Sequence, residues 1–154
     1  MRIIGCGNRD RGDDAAGILV AERLRDLGIE AQTLSGAAFD LIEEWRGADE
    51  VIVIDAMRSG APPGTVRIWD DGRIPERLTA SSSTHGLGVA EALCLARTLD
   101  LLPQKLRIIG IEGAEFGVGT PLSTQVQEAV EAVAQQITVV ARLAATTGPR
   151  PVVQ

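Results

Sequence analysis

Residues 1–17, MRIIGCGNRDRGDDAAG, combine an apolar strand, a turn bracketed by glycines and the start of a helix. A glycine-rich turn between a strand and a helix usually binds phosphate, because backbone N–H groups and the helix N-terminus attract anions. Here that helix start carries Asp13 and Asp14, whose negative charges would repel a phosphate group. The dinucleotide fingerprint G-x-G-x-x-G is also incomplete, because Asp10 replaces its third glycine. We therefore interpret this turn as one that faces a cation.

Outward from this turn, apolar strand patterns alternate with helical patterns. Strands are predicted at residues 1–7, 29–34, 49–56, 66–70 and 105–111, and helices at residues 13–28, 37–47, 85–100 and 123–144. The unbroken apolar run of the third strand is typical of the middle of a parallel sheet. The connection before the fourth strand is too short for a crossover helix, so we expect an antiparallel edge strand there. The pattern predicts a doubly wound α/β fold, a three-layer sandwich with helices on both faces of a mostly parallel sheet.

The size and charge of the chain restrict its class. A chain of 154 residues, 45% of them hydrophobic, suits one globular domain, which we assign to residues 1–145 with a flexible tail at 146–154. The net charge of −6 argues against a nucleic-acid partner. No apolar run reaches the roughly 18 residues that span a bilayer, and residues 1–8 lack the pattern of a secretory leader. We therefore expect a cytoplasmic protein without membrane insertion.

The cysteines and serines suggest two nucleophilic alternatives. Cys6 and Cys94 fall in a predicted strand and a predicted helix, and in a reducing cytosol we expect two buried thiols without a disulfide. A catalytic Cys6 paired with His85 is conceivable, but flanking acids would raise the thiol pKa, whereas nucleophilic cysteines need electropositive surroundings. Serine hydrolase chemistry lacks its G-x-S-x-G motif, and the serines at 81–83 lie in a predicted loop.

Three side chains are expected to meet beyond the carboxyl ends of the strands, where open α/β sheets bind their ligands. Asp14 lies at the start of the first helix, Asp55 ends an otherwise apolar strand, and His85 is the single histidine of the chain. Two carboxylates and one imidazole from separate segments form a donor set that suits a transition-metal ion. The sequence therefore predicts a metal site made by these three residues.

Several of these residues also have a purely structural interpretation. We expect Asp13 to cap its helix, a role also open to Asp14. Asp55 could begin a turn, and a single histidine at a helix start could be an incidental surface residue. Glu112 and Glu115 follow the last strand, where they could orient metal ligands or could be solvated loop acids. The sequence leaves these alternatives open.

Four segments together resemble the signature motifs of the hydrogenase maturation endopeptidases, which process the large subunit of nickel–iron hydrogenases. The segments are GCGNRDRGDDAAG (5–17), VIVIDAMRSGAPPGTV (51–66), STHGLGVAEAL (83–93) and IIGIEGAEFGVGTPLS (108–123). They occur in the family's order, and the resemblance extends from Met1 to about Arg142. It implies a five-stranded twisted sheet and a peptidase that removes a short C-terminal extension from the large-subunit precursor of a hydrogenase.

The resemblance also implies a role for the three candidate residues. The metal-contacting positions of the family fall on Asp14, Asp55 and His85, which would be both the catalytic and the metal-binding residues. The metal would be nickel that arrives bound to the precursor and signals complete metal insertion, and cadmium or zinc would be able to replace it in a crystal. Many relatives have Glu at the position of Asp14. Many also have Asp-Gly-Gly-Thr where this chain has SGAA at residues 35–38, so an acid proposed to help recognition or catalysis is missing.

Two other functions remain open at the level of the sequence. A non-catalytic metal-sensing or chaperone-like module would bind the hydrogenase large subunit without cutting it, an alternative that the missing acid at residues 35–38 leaves open. A peptidase of the same fold acting on some other protein is the second alternative.

Overall fold

The computed structural model describes residues 1–75 and 87–146. Within those ranges five strands alternate with four α-helices: β1 (Arg2–Cys6), α1 (Ala16–Asp26), β2 (Gln32–Leu34), α2 (Ala38–Trp45), β3 (Glu50–Met57), β4 (Val66–Asp70), α3 (Leu87–Thr98), β5 (Lys105–Glu112) and α4 (Thr124–Thr146). A 3-10 turn, Gly12–Ala15, precedes α1 and forms the first part of the predicted helix. β2 is shorter than its predicted range. Residues 76–86, which include His85, and 147–154, which belong to the predicted tail, lie outside the described residues.

The strands form one sheet in the order β2-β1-β3-β5-β4. β4 pairs antiparallel with β5, and the other neighbouring strands pair in parallel. The predicted fold class is therefore confirmed, including its antiparallel edge strand. The chain leaves β1 for β2 on one side and then returns past β1 to form β3 on the other. This reversal makes the carboxyl ends of β1 and β3 the point at which open α/β sheets bind ligands.

Helices cover both faces of the sheet. α1 and α4 pack against one face and α2 and α3 against the other. On β3, Ile52 and Ile54 belong to the first core, whereas Val51 and Val53 belong to the second, because successive side chains of a strand point to opposite faces. Both faces of β3 are thus buried, which explains why its sequence is a continuous apolar run. No helix in the described part of the chain is long and apolar enough to cross a membrane.

Two glycines bring the start of α1 close to the ends of the strands. A Cβ atom on Gly17 would lie 2.3 Å from the carbonyl oxygens of both Cys6 and Ile54. Gly7 has φ +143°, and a Cβ atom there would lie 1.9 Å from the carbonyl oxygen of Asp14. Contacts this short exclude any side chain. The glycines of the first motif therefore hold Asp14 against the carboxyl ends of β1 and β3.

The prediction of two buried thiols is wrong for Cys94. Cys6 is buried at the end of β1, whereas Cys94 is exposed on α3. The neighbours of Cys94 on α3, Ala92 and Leu93, are buried. A helix buries only the stripe that faces the sheet. The apolar sequence around Cys94 therefore predicted the helix but not whether Cys94 lies on its buried stripe.

Candidate functional site

A cavity of about 420 Å³ lies at the carboxyl ends of β1 and β3. Asp14 lines it from the 3-10 turn and Asp55 lines it from β3. The structure therefore brings together the two carboxylates that the sequence singled out, at the place where the strand order reverses. His85, the third predicted ligand, falls outside the described residues. Within 1–75 and 87–146, no group of three His, Cys, Asp or Glu side chains forms a metal site, so the complete site stays a prediction.

The charge of Asp55 is disfavoured in this cavity. Burial raises the pKa of Asp55 to about 8, with the nearby charge of Asp14 as a second cause. The N–H of Ala56 donates a hydrogen bond of 2.9 Å to Oδ1 of Asp55, which acts in the opposite direction but is outweighed. Two carboxylates that oppose each other's ionisation are stabilised together by a cation placed between them. The chemistry of this pair therefore fits a metal ion.

Backbone hydrogen bonds fix the position of Asp14. Its N–H donates to the carbonyl oxygen of Arg11 at 3.1 Å, and its own carbonyl oxygen accepts from the N–H of Asn8 at 3.2 Å. The residue is 4% exposed. Asn8 and Arg11 line the same cavity as Asp14. The turn thus presents three polar side chains to one cavity from a rigid backbone.

Asp13, next to Asp14 in sequence, has a different role. Its Oδ1 accepts the N–H of Ser123 at 2.8 Å, and its Oδ2 accepts the N–H groups of Ala114 at 2.8 Å and Glu115 at 3.0 Å. Burial acts to raise the pKa of Asp13, but the hydrogen bonds from Glu115, Ser123 and Ala114 outweigh it and lower the pKa. The prediction that Asp13 caps its own helix is wrong, because Arg11 occupies the cap position and no side chain caps the turn. Asp13 instead ties the turn to the loop after β5 and to the start of α4.

The two glutamates after the last strand also have different roles. Glu112 is 1% exposed at the end of β5. Its Oε1 accepts the N–H groups of Ser59 at 2.8 Å and Gly60 at 3.0 Å, and its Oε2 accepts the Ser59 hydroxyl at 2.7 Å. It therefore orders the turn after β3 and is not a solvated acid. Glu115 is exposed, as the solvated alternative expects.

The catalytic alternative for Cys6 finds no support. Burial raises the pKa of the Cys6 thiol well above its ordinary value, and the charge of Asp55 raises it further. The thiolate is the nucleophilic form of cysteine, so an environment that disfavours it does not suit a nucleophile. Cys6 is a buried core residue at the end of β1.

Sequence reasoning missed two charged residues of the cavity, Arg11 and Glu91. Arg11 lies in the first motif between the glycine turn and Asp14, and this position was the signal that could have identified it. Glu91 lies on α3, one turn after Gly88. A Cβ atom on Gly88 would lie 1.5 Å from the carbonyl oxygen of Gly36, so α3 touches the loop after β2 and closes this side of the cavity. Residues 35–38, which form that loop and the first residue of α2, contribute no charged side chain to the wall.

Comparison with known proteins agrees with this fold and with the sequence motifs. The model of the HycI hydrogenase maturation protease family matches residues 29–140. The hydrogenase expression/formation protein HupD of Thiocapsa roseopersicina is 32% identical over 135 residues, which cover 83% of this chain and 61% of HupD. The hydrogenase 2 maturation protease of Escherichia coli K12 is 30% identical over 143 residues, which cover 88% of this chain and 86% of that protease. This chain therefore spans less than two thirds of HupD but most of the E. coli protease.

Solved structures show the same similarity. The hydrogenase maturating endopeptidase HybD from E. coli superposes with a TM-score of 0.75 at 28% identity, over 94% of each chain. The [NiFe] hydrogenase maturation protease HybD from Thermococcus kodakarensis superposes with a TM-score of 0.73 at 30% identity, over 92% of this chain and 99% of that chain.

Proposed function

The chain belongs to the hydrogenase maturation protease family, and on that premise we propose that it removes a C-terminal extension from the large-subunit precursor of a nickel–iron hydrogenase after nickel insertion. The observation that carries this proposal is the pair Asp14 and Asp55, which come from separate segments and line one cavity at the ends of the strands. We expect the reaction to take place in the cytoplasm.

The nickel of the precursor is the recognition element in this proposal. Asp14 and Asp55 supply oxygen ligands and His85 supplies a nitrogen ligand, a donor set that suits a divalent transition metal. Gly88, three residues after His85 in sequence, lines the cavity, which supports the assignment of His85 to this site. Cadmium or zinc is expected to occupy the same three ligands.

The charge of the cavity explains how a metal-loaded precursor is selected. Without a cation, burial and the charge of Asp14 both disfavour the ionisation of Asp55. A precursor that carries nickel relieves this repulsion, whereas a precursor without nickel does not. The binding energy of the metal therefore holds the scissile bond in the cavity only when nickel is in place.

Hydrolysis of the held peptide bond needs a proton acceptor for water and stabilisation of the scissile carbonyl. The cavity carboxylates are suitable proton acceptors, and a bound divalent cation polarises a carbonyl group or lowers the pKa of water. Both contributions come from the same small volume, because Asp14 and Asp55 line one cavity.

The experiment compares nickel-loaded and nickel-free precursor as substrates. Each is incubated with the protein, and the mass of the large subunit is measured before and after. We expect the nickel-loaded form alone to lose the mass of the extension. Equal cleavage of both forms would contradict nickel recognition.

A second candidate function rests on residues 35–38. These residues line one wall of the cavity and include no acid. Many members of the family that this sequence resembles carry an Asp in the corresponding stretch. A non-catalytic module that senses the metal-loaded subunit would tolerate that loss. The mass measurement separates the two functions, since the module would form a complex with the nickel-loaded subunit and leave its mass unchanged.

A further inference from the structure

Arg11 is the one cation among the described residues that line the cavity. It shares the cavity with Asp14, Asp55 and Glu91. None of the ion pairs within the described part of the chain involves Arg11. The guanidinium group of this cavity-lining residue is not used in any of those ion pairs and is therefore available to a ligand.

The backbone and one edge of the side chain hold Arg11 in place. Its N–H donates to the carbonyl oxygen of Asn8 at 3.3 Å, and its Nε–H donates to the carbonyl oxygen of Phe116 at 3.4 Å. The next residue, Gly12, has φ +55°, and a Cβ atom there would lie 2.4 Å from the carbonyl oxygen of Glu115. Nε donates its hydrogen bond to the carbonyl oxygen of Phe116. The two terminal amino groups of the guanidinium therefore remain as donors for a bound molecule.

We propose that Arg11 is a catalytic residue that stabilises the oxyanion of the scissile carbonyl, an inference that rests on the proposed peptidase function. In this step water adds to the carbonyl carbon and gives a proton to a cavity carboxylate, while the carbonyl oxygen becomes an oxyanion. The C–N bond then breaks, and the leaving nitrogen takes the proton. The products are a carboxylate on the processed subunit and an amino group on the released extension.

Arg11 would add directed donors to the charge that the metal supplies. Nickel bound by the proposed ligands offsets the charge of Asp14 and Asp55, whereas Glu91 lines the same cavity as a further acid. Arginine is charged at every physiological pH and offers paired N–H donors to an oxyanion or a carboxylate. Donors held in place before the reaction contribute the most to such stabilisation, and hydrogen bonds hold the backbone N–H and the Nε–H of Arg11.

The chain offers a matched control arginine. Arg58 lies over the ring of Phe116, 5.3 Å from its centroid, and so contacts the same residue as Arg11. It is exposed and does not belong to the described lining of the cavity. Arg58→Gln therefore removes an equal charge next to the same loop without removing the proposed donor.

The test measures kcat and KM on nickel-loaded precursor for the wild type, Arg11→Gln, Arg11→Lys and Arg58→Gln. We expect Arg11→Gln to lower kcat by about 10²–10³-fold with KM changed by less than about threefold, the loss typical of one oxyanion donor. Arg11→Lys should retain part of kcat, and Arg58→Gln should behave as the wild type. A kcat for Arg11→Gln close to that of the wild type, or a loss confined to KM, would overturn the inference.

Chemical rescue distinguishes catalysis from a structural role. Methylguanidinium added to Arg11→Ala should restore part of kcat, because a cation can re-enter the cavity. If Arg11→Ala unfolds at a lower temperature and is not rescued, Arg11 is structural and the inference is overturned. If the wild type itself cuts no precursor, the proposed function fails and this inference fails with it. If the wild type and Arg11→Gln cut the precursor equally well, the inference about Arg11 is overturned and the proposed function stands.

Discussion

Asp13 and Asp55 are buried or partly buried acids at the same edge of the sheet, but their surroundings have opposite effects on their charge. Asp13 accepts hydrogen bonds from three backbone N–H groups, and its pKa is lowered. Burial and the nearby charge of Asp14 raise the pKa of Asp55 to about 8. The acid whose charge is satisfied holds the loops together, whereas the acid whose charge is disfavoured is the one that we propose as a ligand of a cation. Glu112 has the same kind of role as Asp13, because it accepts hydrogen bonds from the N–H groups of Ser59 and Gly60 and so holds a turn in place.

The largest effect that follows from the comparison of Asp13 with Asp55 is a loss of activity. Asp55→Asn and His85→Ala should each abolish processing of nickel-loaded precursor, because each removes a proposed ligand of the cation. The mass of the large subunit after incubation reports cleavage, and thermal unfolding shows that the variant is folded. Near-normal cleavage by either variant would remove that residue from the site.

Loss of stability is the next largest effect, and we expect it from Asp13. Asp13→Asn replaces one of the two acceptor oxygens by an NH2 group, which leaves either the N–H of Ser123 or the N–H groups of Ala114 and Glu115 without an acceptor. Each buried donor left without an acceptor costs about 1–3 kcal/mol, so the free energy of unfolding in urea should fall by about 3 kcal/mol. The nearby exposed Asp10 offers the control, Asp10→Asn. Equal stability of the two variants would contradict the structural role of Asp13.

The same comparison predicts opposite pH dependences for the two acids. The lowered pKa of Asp13 stabilises the fold at neutral pH, and this contribution is lost as the pH falls through its pKa in the folded state. The raised pKa of Asp55 makes the metal-free fold less stable as the pH rises from about 4 to about 8. We therefore expect Asp55→Asn to unfold a few degrees above the wild type at pH 8 and at the same temperature near pH 4. A lower unfolding temperature at pH 8 would show that the charge of Asp55 is satisfied without a cation.

The smallest predicted effect is a difference in stability between variants of the two glutamates that end and follow β5. Glu112→Gln should lower the free energy of unfolding by about 1–2 kcal/mol, because one of its acceptor oxygens for the 59–60 turn becomes a donor. Glu115→Gln, at an exposed position, should change it by less than about 0.5 kcal/mol. Urea denaturation of the two variants measures the difference. A loss at Glu115 as large as that at Glu112 would show that burial does not separate their roles.

The sequence predicted the fold and the meeting of Asp14 with Asp55, because both depend on local patterns. Apolar runs and glycine turns define the strands, and the topology of an open parallel sheet brings the residues after its strands together. The structural role of Asp13 could not be predicted in this way. Its partners Ala114 and Ser123 lie 101 and 110 residues away in the chain, and nothing in either segment indicates the other.

The position of Arg11 in the cavity was beyond the sequence for a related reason. Its direction depends on the turn at Gly12 and on the Phe116 carbonyl oxygen, 105 residues away. Residues 1–17 contain three arginines, at positions 2, 9 and 11. Arg9 pairs with Glu22 on α1, and sequence position alone does not separate it from Arg11.

A crystal soaked with cadmium tests the central claim most directly, because anomalous scattering locates the ion without reference to activity. The account predicts one strong peak in the cavity, with oxygen atoms of Asp14 and Asp55 and a ring nitrogen of His85 about 2.0–2.4 Å away, the range of metal–ligand bonds in proteins. Cadmium bound elsewhere on the protein while this cavity holds none would contradict it.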